Sequence, residues 1–258
     1  RTILNSLNFT ETNKESEANL IITIACSVKQ SGIDRIFGKS KNWQKRKGLT
    51  TILTGCVVKE DKPKMKKIFD EIIEIHEINR LPKILNIEPS KLSPAQDYLE
   101  ILPEYTGGIK AYVPISNGCN NFCTYCVVPN TRGREKSRSS KNIINECQEL
   151  LNQGYKEITL LGQNVNSYGL DLKDDLSFPE LLERVSNLKG NFWLRFSTSH
   201  PKDMSDELIK VISENKNICN YIHLPIQSGN NEILKKMNRK YTKGHYLELI
   251  KKIKDNIT

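Results

Sequence analysis

The sequence predicts an α/β protein in two parts: an amino-terminal domain on a parallel sheet, then an incomplete (β/α) barrel. Three observations carry this. Short apolar runs of strand length alternate with polar stretches whose apolar residues recur at helical spacing, and such alternation feeds a parallel sheet. A stretch rich in proline, with few apolar residues, divides the series in two. Polar or cysteine-bearing residues cluster after the strands, at the carboxyl edge where parallel sheets and barrels gather their chemistry.

In the first part, residues 20–25 read as a strand ending at Cys26, and residues 50–54 as a second ending at Gly55-Cys56. Between them, a lysine-rich helical segment over about 29–47 carries Ile33, Ile36 and Phe37 on one face. A helix near 63–70 leads to a third apolar segment around 72–75. Residues 79–107 form a linker containing Pro82, Pro89, Pro94 and Pro103, with Leu81, Ile84 and Leu85 available to pack on a neighbour. These features set domains at 1–78 and 108–258.

The second part opens with the apolar run Ala111-Tyr112-Val113-Pro114-Ile115. Helices then follow at 140–152, 178–188, 203–214 and 242–254, with strands between them at 157–161, 192–196 and 220–224. Four consecutive βα units result. Trp193 and Tyr221 read as core residues, His223 as a core or hydrogen-bonded histidine rather than a metal ligand, His76 and His245 as surface residues, and Cys147 and Cys219 as structural cysteines.

Composition narrows the class. The 258 residues are 37% hydrophobic, with a mean hydropathy of −0.51, and no apolar run is long enough to span a membrane. Lys and Arg number 39 against 30 Asp and Glu, giving +9, a balance that favours a polyanionic partner such as RNA. Seven cysteines, without a leader sequence, point to a reducing compartment and metal chemistry rather than to a disulfide framework.

Cysteine placement is the most specific signal. Gly118-Cys119-Asn120-Asn121-Phe122-Cys123-Thr124-Tyr125-Cys126 sets three thiols in one loop after the run at 111–115. Thiolates packed this tightly in sequence can converge on one metal centre. Zinc and ferredoxin-type sites use four such ligands, and no fourth cysteine lies at a suitable local spacing. A cluster held by three cysteines leaves one iron open to a substrate or cofactor. Cys26 and Cys56, each at a strand's carboxyl end, suggest a second shared site that needs a further ligand.

The Cys-x3-Cys-x-Tyr-Cys loop resembles that of the radical S-adenosylmethionine (SAM) superfamily, and more narrowly of its methylthiotransferases. Further stretches carry the likeness: Pro129-Asn130-Thr131-Arg132-Gly133, Leu160-Leu161-Gly162-Gln163-Asn164-Val165-Asn166-Ser167-Tyr168, Arg195-Phe196-Ser197-Thr198-Ser199-His200-Pro201, His223-Leu224-Pro225-Ile226-Gln227-Ser228-Gly229 and Met237-Asn238-Arg239-Lys240-Tyr241-Thr242. They are similar to the branch acting on N6-isopentenyladenosine in tRNA.

The resemblance implies a [4Fe-4S] cluster on Cys119, Cys123 and Cys126, its open iron chelating SAM, with Tyr125 against the adenine. It implies a second [4Fe-4S] cluster using Cys26 and Cys56. The Tyr-Gly-Cys motif that supplies that cluster's third ligand has no counterpart in residues 1–19, and neither the last barrel strands nor a TRAM domain follows residue 258, so a chain truncated at both ends is expected. The implied reaction is reductive SAM cleavage, hydrogen abstraction at C2 of the adenosine beside the anticodon, and transfer of a methylated sulfur there. Implied partners are the tRNA anticodon stem-loop and an electron donor such as flavodoxin or ferredoxin, in the cytoplasm.

By position at strand ends, Gln163, Asn164, Ser197, Thr198, His200, Gln227 and Ser228 are candidate SAM contacts. Many radical SAM proteins have Gly-Gly-Glu after the second strand. Here Leu161-Gly162-Gln163-Asn164 lacks that carboxylate. Arg195 is either a partner of the SAM carboxylate or a structural charge. Arg132, Arg134, Lys136 and Arg138 form a basic loop that either holds RNA phosphates or is simply solvated. The same cysteines also suit a methylthiotransferase acting on threonylcarbamoyladenosine in tRNA or on an aspartate of a ribosomal protein. From a different class, a non-catalytic Fe–S or zinc RNA-binding module remains.

Overall fold

A computed structural model describes residues 1–26, 30–87 and 98–257. The chain divides into two compact units, Arg1–Glu104 with Asn130–Arg132, and Tyr105–Pro129 with Gly133–Thr258. Part of the linker predicted at 79–107, residues 88–97, lies outside the described residues.

In the first unit the short helix α1 (Thr2–Ser6) precedes β1 (Leu20–Cys26), α2 (Gln30–Trp43), β2 (Thr50–Cys56), α3 (Lys62–Met65), β3 (Glu71–Ile72) and α4 (Leu81–Ile84). The Ile- and Thr-rich runs suit a pleated surface, and the strands form a parallel sheet in the order β1-β2-β3. The central strand β2 is covered on both faces. Leu53 packs with Ile33, Ile36, Trp43, Met65 and Phe69, and Ile52 with Ile73 and Leu81.

Linker residue Leu81 is therefore core, and Ile84 and Leu85 pack beside it. Pro82 sits in the first turn of α4, where its missing N–H costs nothing. The helix expected near 63–70 is shorter, a single turn beginning at Lys62. Register pairs Cys26 with Cys56 across β1 and β2, so the two strand-end cysteines are lateral neighbours.

The second unit contains β4 (Lys110–Pro114), β5 (Ser116–Asn117), the start of α5 (Val128–Thr131), whose last two residues belong to the first unit, β6 (Lys136–Ser137), α6 (Ser140–Asn152), β7 (Glu157–Leu161), α7 (Phe178–Ser186), β8 (Trp193–Ser197), α8 (Asp206–Glu214), α9 (Asn231–Lys236) and α10 (Lys243–Asn256). Strands β4, β7 and β8 form a parallel sheet in that order. Ile143, Cys147 and Leu150 of α6 bury one face with Leu181, Leu182 and Val185 of α7 and Leu208 and Ile212 of α8 against Val113, Ile158, Leu160 and Leu194. A Ser177–Glu180 capping box starts α7 and Ser205 caps α8, satisfying amide donors that the first helical turn leaves unbonded.

The fourth βα unit differs from expectation. No strand forms at 220–224. The chain instead makes one parallel bridge between Leu194 and Ile218 and a second contact where Ser199 N–H donates to the His223 carbonyl at 3.3 Å. No ladder joins these two points among the described residues. Trp193 is 53% exposed and Tyr221 63%, so these two predicted core positions lie on an open sheet margin, and His223 beside them is exposed rather than core. Sequence periodicity finds residues that suit a strand, but a strand also requires a neighbour to bond along its length.

Candidate functional site

The three-cysteine loop leaves the sheet at the carboxyl end of β4. Its base is a small antiparallel pairing, Ser116 with Ser137 and Asn117 with Lys136, and Cys119 N–H donates to the Gly133 carbonyl at 3.2 Å. Gly118 has a φ of +82°, and a Cβ there would lie 2.0 Å from the Arg134 carbonyl oxygen, so the entry to the loop accepts only glycine.

Cys119 is buried while Cys123 and Cys126 are partly exposed. A turn bond from Cys126 N–H to the Cys123 carbonyl, at 2.9 Å, brings the last two together. Burial pushes the Cys119 thiol up, an N–H of Asn121 draws it down, and Glu135, Cys123 and Cys126 add smaller upward pushes. Tyr125 stands half-exposed beside them, its hydroxyl pushed up by burial.

A second segment reaches the loop from more than a hundred residues away. Thr124 N–H donates to the Met237 carbonyl at 3.2 Å and its hydroxyl to the Lys236 carbonyl at 3.1 Å. Asn238 Nδ2 donates to the carbonyls of Asn121 and Phe122, at 3.3 and 2.9 Å. Arg239 Nη1 donates to Cys123 Sγ at 3.2 Å. The sequence displayed this segment, but neither charge nor spacing revealed that it would fold onto the cysteines.

Among the described residues no group of three or more His, Cys, Asp or Glu side chains is placed to hold one metal ion. A cubane makes a different demand, because each thiolate binds its own iron. The donor set fits that demand: three thiols in one loop, an amide N–H at one sulfur and a guanidinium at another. Such donors to sulfur are among the features that tune iron–sulfur centres.

Beside the loop a cavity of about 220 Å³ is lined by Asn120, Asn121, Glu135, Ser167, Lys202 and Lys240 among others. Glu135 went unnoticed in the sequence because it sits within a basic run. Its carboxylate accepts from Ser167 Oγ at 2.6 Å, and burial raises its proton affinity, with Asp171 and Asp203 adding to the rise.

The strand-end candidates divide. Asn164 is 2% exposed, and its Nδ2 donates to Ser167 Oγ at 2.9 Å and to Asp203 Oδ2 at 2.7 Å. Buried side-chain oxygens of Ser116, Gln163, Asn164, Asn166 and Ser199 have no hydrogen-bond partner. Such orphans are uncommon in native interiors, and here they gather after β4, β7 and β8, which suits a polar ligand such as SAM. Thr198 and Gln227 adopt left-handed backbone conformations at φ of +76° and +67°, a strained state for a β-branched residue such as threonine. Both are exposed, and Ser197 and Ser228 are partly so. His200 is 5% exposed, accepts Lys202 N–H at Nδ1 and packs edge-on to Tyr241, so its ring is committed to the protein.

For Arg195 the geometry suits the second of its two expected roles, a structural charge, while the RNA role expected of Arg138 is corrected. Arg195 lies mid-strand in β8, with its Nε 3.3 Å from the Glu157 carboxylate at the start of β7, away from the carboxyl edge where SAM contacts were sought. Arg138 is 6% exposed. It donates to the Pro114 carbonyl at 2.7 Å and to Glu146 at 2.6 Å, so it is a structural charge rather than an RNA contact. Of the other basic residues, Arg134 is exposed with its guanidinium 4.3 Å from the Phe122 ring centroid, Lys136 is exposed, and Arg132 Nε donates to Cys56 Sγ at 2.9 Å within the first unit.

A three-cysteine loop at the carboxyl edge of a parallel β/α sheet, beside a polar cavity, suits an iron–sulfur protein. Residues 113–258 match the family described as "Radical SAM superfamily", and the chain belongs to it. Membership brings with it a [4Fe-4S] cluster and SAM. Residues 1–75 match "Uncharacterized protein family UPF0004".

The chain is 42% identical over 273 aligned positions to the tRNA-2-methylthio-N(6)-dimethylallyladenosine synthase of Thermoanaerobacter pseudethanolicus, covering 99% of this chain and 58% of that protein. Similarity to the enzyme of that name from Clostridium perfringens is 42% over 272 positions, covering 99% and 61%. The chain thus spans about three fifths of the length of these relatives.

Among solved structures, the cobalamin-dependent SAM radical enzyme OxsB matches with a TM-score of 0.57 and 12% identity, over 97% of this chain and 40% of that one. The radical SAM methyltransferase TsrM from Kitasatospora setae matches with a TM-score of 0.50 and 12% identity, over 86% and 58%. At that identity the likeness is one of fold. No helix among the described residues is long and apolar enough to cross a membrane.

Proposed function

We propose that the chain is the cluster-bearing part of a cytoplasmic tRNA methylthiotransferase, which places a methylthio group at C2 of N6-isopentenyladenosine next to the anticodon. The observation that carries this is the three-cysteine loop at the carboxyl edge of β4, in a chain 42% identical to synthases named for that nucleoside. When bound, the cluster and SAM supply the one-electron chemistry that breaking an aromatic C–H bond demands.

The chain's own residues would bind and orient. Cys119, Cys123 and Cys126 hold the cluster, and Tyr125 offers a half-exposed ring for the adenine of SAM. Gln163 and Asn164, with orphaned oxygens, and Ser197, Thr198, Gln227 and Ser228 offer polar contacts to its ribose and methionyl part. His200, already engaged, shapes that wall from behind. Cys26 and Cys56, register partners, supply two ligands of a second [4Fe-4S] cluster. Arg134 and Lys136 attract the phosphates of the anticodon stem-loop, and a flavodoxin or ferredoxin delivers the electron.

Anaerobic reconstitution with iron and sulfide, followed by chromatography for 5′-deoxyadenosine, tests the chemistry. Cleavage by the native chain that disappears on replacing Cys119, Cys123 or Cys126 with alanine supports it, and stoichiometric zinc without SAM cleavage refutes it. Mass spectrometry of tRNA nucleosides from cells with and without the gene tests the substrate. Loss of the methylthio group from threonylcarbamoyladenosine instead would overturn the assignment to isopentenyladenosine.

A further inference from the structure

We infer that Arg239 is a positioning residue for the cluster, holding the Cys123 sulfur in place and supplying the positive charge that counters the thiolates. The inference rests on the reading of Cys119, Cys123 and Cys126 as cluster ligands.

Arg239 is 8% exposed, and a buried cation needs a counter-charge or full hydrogen bonding. Its guanidinium bonds run to Cys123 Sγ at 3.2 Å and Tyr241 Oη at 3.3 Å, not to a carboxylate. The guanidinium carbon also lies 5.3 Å from the Tyr241 ring centroid, a cation–π contact that fixes its plane. Of these two hydrogen-bond partners, Cys123 is the one that would carry opposite charge when its sulfur binds a cluster iron.

The same segment secures the rest of the loop. Asn238, at a φ of +56°, turns its amide onto the carbonyls of Asn121 and Phe122, so the two residues together grip both the backbone and a sulfur between Cys119 and Cys126. On the far side, Tyr241 Oη donates to the Ile226 carbonyl at 2.5 Å, directly before Gln227. Arg239 is thus the middle of a chain of contacts from a cluster sulfur to the loop that carries two candidate SAM contacts.

A guanidinium at a cluster sulfur favours the reduced, more negative state, because charge and hydrogen bonds at the sulfurs set the potential. Outer contacts to metal ligands are typically worth about 10–100-fold in affinity.

The test compares the full native chain with Arg239→Met and Arg239→Lys, each reconstituted anaerobically with iron and sulfide. Circular dichroism confirms folding. Iron release to a chelator and the midpoint potential by EPR are the readouts. Arg239→Met is expected to release iron about 10-fold faster or more and to shift the midpoint potential to a more negative value. Arg239→Lys, which keeps the charge and loses the planar fork, restores the potential but only part of the retention. It carries the comparison of release rates if the methionine variant does not fold. Release and potential in Arg239→Met equal to those of the native chain overturn the inference while leaving the cluster reading intact. A native chain that takes up no iron overturns both.

Discussion

The Arg138 guanidinium lies 2.6 Å from the Glu146 carboxylate, with both side chains 4% exposed. Tyr105 Oη donates to the other Glu146 oxygen at 2.5 Å, and Arg138 also holds the Pro114 carbonyl at the end of β4. The pair ties the strand that launches the cysteine loop to α6. Arg138→Ala strands a buried carboxylate and is expected to destabilise the protein by about 3–5 kcal/mol, whereas Arg138→Met with Glu146→Leu recovers much of the loss. Urea unfolding of the single and double variants checks this. A single variant as stable as the native chain would contradict it.

Gly118→Ala is expected to damage the loop specifically. Its Cβ would meet the Arg134 carbonyl at 2.0 Å in a left-handed backbone, and relief requires Cys119 to move. We expect a stability loss of about 1–3 kcal/mol and reduced iron uptake after reconstitution. Unchanged iron content would show that the loop tolerates the shift.

His200 predicts a pH dependence. Burial, then the Arg239 cation, hold its pKa down at about 4, with Lys202 in the same sense and Asp203 opposing. The folded ring stays neutral where an unfolded one, near 6.5, takes up a proton. Its stabilising contribution is therefore complete above pH 6.5 and drains away as pH falls towards about 4, a loss on the order of 2–3 kcal/mol. His200→Asn, which keeps an acceptor near the Lys202 amide, is expected to flatten this stretch of the stability–pH curve. Parallel curves for the two proteins would exclude His200 as the cause.

For the basic loop, Arg134→Ala is expected to weaken binding of an anticodon stem-loop and to reduce the slope of log affinity against log salt by about 1. The paired replacement Arg138→Met with Glu146→Leu, which removes the buried pair as a unit, leaves the slope unchanged. Filter binding at several salt concentrations separates them. A slope lowered equally by Arg134→Ala and by the paired replacement would place Arg138 on the RNA after all.

Alternating apolar runs were enough to locate β1, β2, β4, β7 and β8 and the helices α6, α7, α8 and α10, because burial on one or two faces leaves its period in the sequence. The cysteine loop was legible from spacing alone. Contacts made across the fold were not. Nothing in the neighbourhood of Arg138 distinguishes it from Arg134, yet one is buried against Glu146 and the other exposed. Glu135 was hidden by the charges flanking it, and the role of Asn238 and Arg239 depends on where α9 ends. Residues 220–224 have the composition of a strand, but strand formation is a property of pairs.

The bonds from Lys236, Asn238 and Arg239 to the cysteine loop bridge separations of 112 to 117 residues. During synthesis the loop emerges from the ribosome long before the segment that will brace it, and closing so long a gap has an entropic cost that local order cannot offset. The thiols therefore acquire the setting described for them only once translation has passed residue 239.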